Sequence, residues 1–187
     1  MGKKKSIKIS SKNIVEYWKN KIEISPDWED AETCCWACGN NKNSFGPLHR
    51  SHIIPEVLGG ESVESNLLLL CSFCNSTNPE TIYAEDFWKW FKSRNREGFV
   101  YISQDDPFRY NREFRLIYRV GLNEYLELIL KNEEMVNNFK IEFGDFLQNN
   151  KDKFYVRYAS TMAIAFYQFG LLWEEKHFDV LSKMEID

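Results

Sequence analysis

What these 187 residues lack excludes several classes of protein at once. No apolar run is long enough to span a bilayer: after Arg157 the longest stretch without a charge, Tyr158 to Trp173, is too short and contains Ser160, Thr161, Gln168 and Gly170. It reads as a buried helix. The early lysines Lys3, Lys4, Lys5 and Lys8 are followed by polar residues rather than an apolar signal core, so nothing directs export and a cytoplasmic protein is expected. No Gly, Pro or Ser tract reads as a flexible linker, and 43% hydrophobic with 16% aromatic residues excludes a disordered chain. Positive charge is also missing. A net charge of −4 is the wrong sign for a protein that coats nucleic acid non-specifically, because that binding depends on clustered Lys and Arg. The average hides segregation, with seven Lys against one acid in residues 1–21 and seven Lys or Arg against four acids in residues 92–119.

The length allows one compact unit with two parts. Ile14, Trp18 and Ile22 share one face of a helix predicted over Asn13 to Ile22, ending at the break of Ser25 and Pro26 and packing on the cysteine-containing module after it. From Cys34 to Pro79 the pattern changes to cysteine knuckles, an Asn40, Asn41 and Asn43 turn cluster, a short strand around Phe45 to Ile54, and a Gly59-Gly60 turn. Leu67 to Leu70 reads as core. From Ala84 onward the periodicity is helical, in Phe87, Trp88, Trp90 and Phe91, then from Phe108 to Leu130, then from Phe154 to Trp173. At their spacing Trp88, Trp90 and Phe91 read as packing residues rather than base-stacking ones.

Five cysteines in a reducing compartment are not expected to form disulfides, and four of them fall in two CxxC pairs, Cys35 with Cys38 and Cys71 with Cys74. Each two-residue gap lets a tight turn aim two sulfurs at one ion, which suits tetrahedral Zn²⁺. Four thiolates close the coordination sphere, so this zinc is expected to be structural. Cys34 with Cys38 would leave three residues between the ligands, and Cys35 is the preferred partner.

Inside the zinc loop lie His49, Arg50, Ser51 and His52, then Ile53-Ile54-Pro55, Gly59-Gly60, Asn66 ahead of Leu67 to Leu70, and Cys71-Ser72-Phe73-Cys74-Asn75. In this order the residues resemble the zinc-containing HNH, or ββα-metal, endonuclease family, closely over residues 35–79 and more loosely through the helix around Phe87 to Trp90. The phosphodiester hydrolysis this implies needs a base near the working pH, a cation for phosphoryl charge and the leaving oxygen, and a group that holds both, and His52, Asn75 and Asn66 fit those roles.

The resemblance implies an α+β fold: a small ββα-metal module stapled by the four-cysteine zinc, a short N-terminal helix, and an all-helical C-terminal region. The corresponding boundaries are 1–30, 31–83 and 84–187. It implies that His52 is the general base, that Asn66 fixes the loop and orients His52, and that Asn75 ligates Mg²⁺ or Mn²⁺. One position departs from the family. Where many members place an Asp or His metal ligand before the base, this chain has Ser51, a weak donor for a hard cation, so His49, Glu56, Glu61 or water is expected to complete the site.

For the substrate, Arg109, Arg112 and Arg119, with Arg115 close by, recur near helical spacing and would line a phosphate-facing stripe or simply a solvated face. Arg50 and the Lys-rich start are further candidates for phosphate contact. The expected activity is hydrolysis of DNA, double-stranded by preference, in restriction or phage defence, with no membrane partner; a homodimer is compatible with paired cuts on a symmetric site. Two rivals stand beside it. Ser51 and the acidic average motivate a non-catalytic zinc module that binds nucleic acid or protein, and the Tyr158 to Trp173 segment motivates a structural protein with an oligomer interface.

Overall fold

The computed structural model describes residues 9–24, 28–94, 105–130 and 132–184. Lys3, Lys4, Lys5 and Lys8, the expected break at Ser25 and Pro26, and the middle of the basic 92–119 segment lie outside the described residues. The fold is α+β, with a two-stranded sheet in the first half and a mostly helical C-terminal part. The chain divides into two compact units, one running to Ser76 and taking in Arg94, the other holding Thr77–Ser93 and the described residues from 105 onward.

The first unit opens with α1 (Ser11–Trp18), where Ser10 accepts a bond from the Asn13 amide and the Asn13 side chain returns to the Ser10 backbone. That reciprocal cap starts the helix. It stops before Ile22 because Asn20 adopts the left-handed conformation, φ 66°, which asparagine tolerates and a continuing helix does not. Ile14 is fully buried, and the Trp18 indole donates to the carbonyls of Glu64 and Leu67 at 3.0 and 2.8 Å, tying α1 to the start of the sheet. A single turn, α2 (Lys42–Phe45), comes after the first cysteine knuckle.

The sheet pairs β1 (His49–His52) with β2 (Leu67–Leu70) antiparallel, in the register His49↔Leu70 to His52↔Leu67. All four leucines are buried, so β2 shows a continuous apolar run rather than alternation, as a strand covered on both faces must. The one-turn helix α3 (Ser72–Asn75) leads directly out of β2.

The second unit contains α4 (Ala84–Arg94) up to Ser93, α5 (Arg109–Tyr118), α6 (Leu122–Ile129), α7 (Glu133–Asn149) and α8 (Ala159–Met184). The segment of helical periodicity from Phe108 to Leu130 forms two helices because Arg119 turns left-handed, φ 68°, and Glu124 then caps the amide of Gly121 at 2.7 Å. Residues after Phe154 are extended rather than helical. Phe154 bridges to Thr81, flanked by bonds from Tyr155 N to Glu80 O at 3.0 Å and from Ile82 N to Lys153 O at 3.1 Å, so α8 starts only at Ala159.

The core of this unit is aromatic. Phe139 lies 4.7 Å from Phe169 by ring centroids, Phe143 lies 5.1 Å from Phe166, and Tyr118 stacks on Tyr167 at 3.9 Å. Phe87, Trp90 and Phe91 of α4 are buried, as packing residues should be. The buried Asp86 carboxylate takes bonds from Lys89 at 3.1 Å and Gln168 at 2.8 Å, joining α4 to α8, and burial raises its pKa. Ala163, Ile164, Ala165, Phe169 and Trp173 are buried within this unit, and among the described residues no helix is long and apolar enough to cross a membrane.

Leu68 is fully buried in β2. Replacing it with alanine should destabilise the first unit by about 2–5 kcal/mol. Urea unfolding monitored by tryptophan fluorescence reads this, and an unchanged midpoint would contradict the burial.

Candidate active site

Two tight turns bring four sulfurs to one point. In the first, Gly39 N bonds to Cys35 O at 2.8 Å and Cys35 N to Asn40 O at 2.9 Å, with Gly39 at φ 74°. In the second, Cys71 caps α3, its sulfur accepting from the Cys74 amide at 3.5 Å. The Trp36 amide donates to Leu69 O at 2.9 Å and stitches the first turn onto β2.

The ligating atoms of Cys35, Cys38, Cys71 and Cys74 all lie within 4.8 Å of one another, and Cys38 Sγ is 3.9 Å from Cys71 Sγ. A tetrahedron with Zn–S bonds of about 2.3 Å has edges of about 3.8 Å, so the spacing fits such an ion. Cys34 lies outside the cluster, with Asn41 Nδ2 3.5 Å from its sulfur, which makes Cys35 the ligand. Bonds with Cys35 and Cys74 draw the Cys71 thiol down to about 7 against an opposing one with Cys38, while bonds with Cys38 and Cys71 push Cys35 up and those with all three others push Cys74 up. Four thiolates this close do not ionise together without a cation. The four cysteines are therefore positioned to bind a metal ion.

The chain leaving β1 beyond His52 is clamped by one residue, Asn66. Its carbonyl accepts from the Ile53 amide and its Oδ1 from the Ile54 amide, both at 2.9 Å, while its Nδ2 donates to the carbonyls of Ile54 and Glu61, also at 2.9 Å. The turn before it has two glycines for two reasons. Gly59 sits at φ 88°, which favours glycine, and a Cβ on Gly60 would stand 1.8 Å from Ile54 O. The loop from Pro55 to Asn66 is thereby folded back on His52.

His52 ends β1 half-buried, its Nε2 2.8 Å from Ser62 Oγ and 3.6 Å from Glu56 Oε1. Burial lowers its pKa below the ordinary 6.5, against the opposing pull of the Glu56 carboxylate. Such an imidazole is neutral near pH 7 and able to take a proton. Glu56 stands beside His52, whereas the sequence offered it only as a substitute metal donor. Nothing in the sequence pattern singles out Ser62, because its approach depends on the Gly59-Gly60 turn.

Strand alternation puts His49 and Ser51 on one side of β1. His49 Nε2 is 3.0 Å from Ser72 Oγ of α3, Ser51 is buried, and Asn75 ends α3 half-buried with its amide bonded to Cys71 O at 2.9 Å. Among the described residues no group of three His, Cys, Asp or Glu other than the cysteine cluster comes together. His49, Ser51 and Asn75 would offer a second cation neutral donors only, leaving water and substrate phosphate to complete the shell of an ion such as Mg²⁺.

Arg50 is exposed, and its Nη1 donates to Ile9 O at 2.6 Å. Arg109 and Arg112 lie on α5 and Arg119 just beyond its end, all in the second unit, whereas His52 is in the first. Arg112 pairs with Asp106 at 3.2 Å, Arg115 with Glu124 at 3.3 Å, and the Arg109 guanidinium lies 4.8 Å from the Tyr110 ring centroid. The arginines form no continuous stripe on one helix, since Arg119 lies past the helix end.

Residues 35–85 match the family model described as HNH endonuclease. That span contains both cysteine pairs, both strands, His52, Asn66 and Asn75, and it points to nuclease-type function with a nucleic acid substrate. No curated protein and no solved structure matches the chain.

Elemental analysis should find one metal ion held per chain, lost in Cys38→Ser and Cys74→Ser and retained in Cys34→Ser; retention in the first two would disprove the ligand set. In NMR titration of the metal-loaded protein without added Mg²⁺, the His52 midpoint should fall below 6.5, and Glu56→Gln should lower it further by removing the carboxylate that raises it. A midpoint above that value would contradict the effect of burial.

Proposed function

We propose that the chain is a metal-dependent endonuclease of the HNH type that hydrolyses DNA, with His52 as general base and a structural Zn²⁺ in the cysteine cluster. The observation that carries this reading is a half-buried histidine of lowered pKa held at a strand end by the Asn66 clamp, inside a segment matching HNH endonucleases. His52 accepts a proton from water, whose oxygen attacks phosphorus in line as the bond to the 3′ oxygen breaks. The departing oxygen takes a proton from solvent, leaving a 5′-phosphate and a 3′-hydroxyl. Asn66 acts through the backbone of Ile53 and Ile54, fixing the strand end that carries His52.

Asn75, with His49 and Ser51 as further donors, would hold Mg²⁺ or Mn²⁺, which supplies positive charge for the phosphoryl group and the leaving oxygen. Arg50, at the exposed edge of β1, is the nearest cationic side chain in sequence to the base and is suited to a backbone phosphate. Arg109, Arg112 and Arg119 extend the candidate phosphate contacts in the second unit. Double-stranded DNA, a role in restriction or phage defence, a cytoplasmic setting that keeps the thiols reduced, and a homodimer that cuts both strands complete the proposal.

The buried Ser51, where a hard cation would want a carboxylate, favours a second reading: a zinc module that binds nucleic acid or protein without cutting it. Cleavage of plasmid and single-stranded DNA with Mg²⁺ or Mn²⁺ decides between them. The nuclease reading expects cutting that EDTA abolishes and that falls by about 10²–10⁴-fold in His52→Ala with its zinc retained. Intact DNA under all these conditions would favour the binding module.

A further inference from the structure

The base has neighbours that its assumed role does not require. Glu56 lies on the turn four residues beyond His52, and Ser62 comes just after the Gly59-Gly60 turn. Ser62 Oγ donates to Glu56 Oε1 at 2.5 Å, and His52 Nε2 lies 2.8 Å from the same hydroxyl. A serine hydroxyl carries one proton, and a carboxylate oxygen accepts without donating. With the hydroxyl proton directed to Glu56, Ser62 can only accept from the ring, so Nε2 must carry hydrogen and the lone pair of the neutral ring must sit on Nδ1.

We infer that Glu56 and Ser62 form a relay that fixes the tautomer and orientation of His52, making both of them positioning residues for the base. The inference rests on the reading of His52 as general base. A carboxylate that sets which ring nitrogen keeps its proton is a general device for presenting the other nitrogen as acceptor, here with a hydroxyl interposed. The relay is built into the fold rather than left to two mobile side chains. Gly59 N bonds to Glu56 O at 3.0 Å, Gly60 N to Pro55 O at 2.9 Å, and Asn66 Nδ2 to Glu61 O at 2.9 Å, so backbone bonds hold both ends of the loop that carries Glu56 and Ser62. Glu56 is 68% exposed, and an ion pair that open adds little to stability. Its value lies in direction rather than in holding the fold together.

Nitrogen-15 NMR of the imidazole reads the tautomer in the resting zinc-loaded protein without any need for cleavage. Above its titration midpoint, wild-type His52 should be protonated at Nε2, and a ring protonated at Nδ1 would overturn the relay. For turnover, Ser62→Ala and Glu56→Ala should each lower kcat about tenfold or more with little change in KM or urea midpoint, while Ser62→Thr, which keeps the hydroxyl, should restore kcat. Unchanged kcat in Ser62→Ala, or no rescue by Ser62→Thr when that variant is folded, would refute it. A wild-type chain that cuts no DNA sinks the nuclease reading, and the tautomer measurement then decides the relay by itself.

Discussion

The convergence of four cysteine sulfurs is the constraint on which the first unit depends. Residues 35–38 and 71–74 meet at one point, and β1, the Gly59-Gly60 turn, Asn66 and β2 all lie in the loop between them. Two strands of four residues are marginal in water, and a small unit with so little sheet needs a staple. Closing the loop at its base removes conformational freedom from the unfolded chain, and a structural metal adds binding free energy that appears only in the folded state. The bond from Trp36 N to Leu69 O carries this order from the cysteine turns into the sheet.

Within the closed loop, position is passed on by short-range bonds. Asn66 uses its side-chain oxygen, its side-chain amide and its backbone carbonyl to hold the segment directly after His52. Gly60 makes room for that hold, since any side chain there would collide with Ile54 O. The loop then delivers Ser62 and Glu56 to the His52 ring. Burial and a nearby carboxylate act in opposite directions on the imidazole, and burial prevails, which keeps the ring neutral. In this unit four cysteines positioned for a metal ion, one amide side chain and one glycine set the position of the loop around His52.

Much of this was legible in the sequence because the signals were local. CxxC spacing fixes sulfur geometry over a few bonds, and it separated Cys35 from Cys34 correctly. The buried leucine run was legible as an apolar run leading into the second cysteine pair, the helical C-terminal part as periodicity, and the ββα module through the resemblance to HNH endonucleases. What the sequence hid depended on contacts remote along the chain. The helix expected from Phe154 starts late because Phe154 bridges to Thr81 and the Tyr155 amide bonds to Glu80 O, and the helix expected to reach Ile22 ends early at a left-handed Asn20. Ser62 was invisible for the same reason: its importance comes from a turn that swings it ten residues back to His52. The arginine spacing left open a phosphate-facing stripe or a solvated face; Arg119 lies beyond the helix end, and Arg112 is paired with Asp106.

The central claim is that the loop closed by metal at the four cysteines holds His52 in place, and amide hydrogen exchange before and after chelation tests it most directly. The amides of Ile53 and Ile54, both bonded to Asn66, and of Trp36, bonded to Leu69, should be protected in the metal-loaded protein and should lose protection together when the metal is removed. Protection that persists at Ile53 and Ile54 in the stripped protein would contradict the account, because the loop around His52 would then be ordered without its staple.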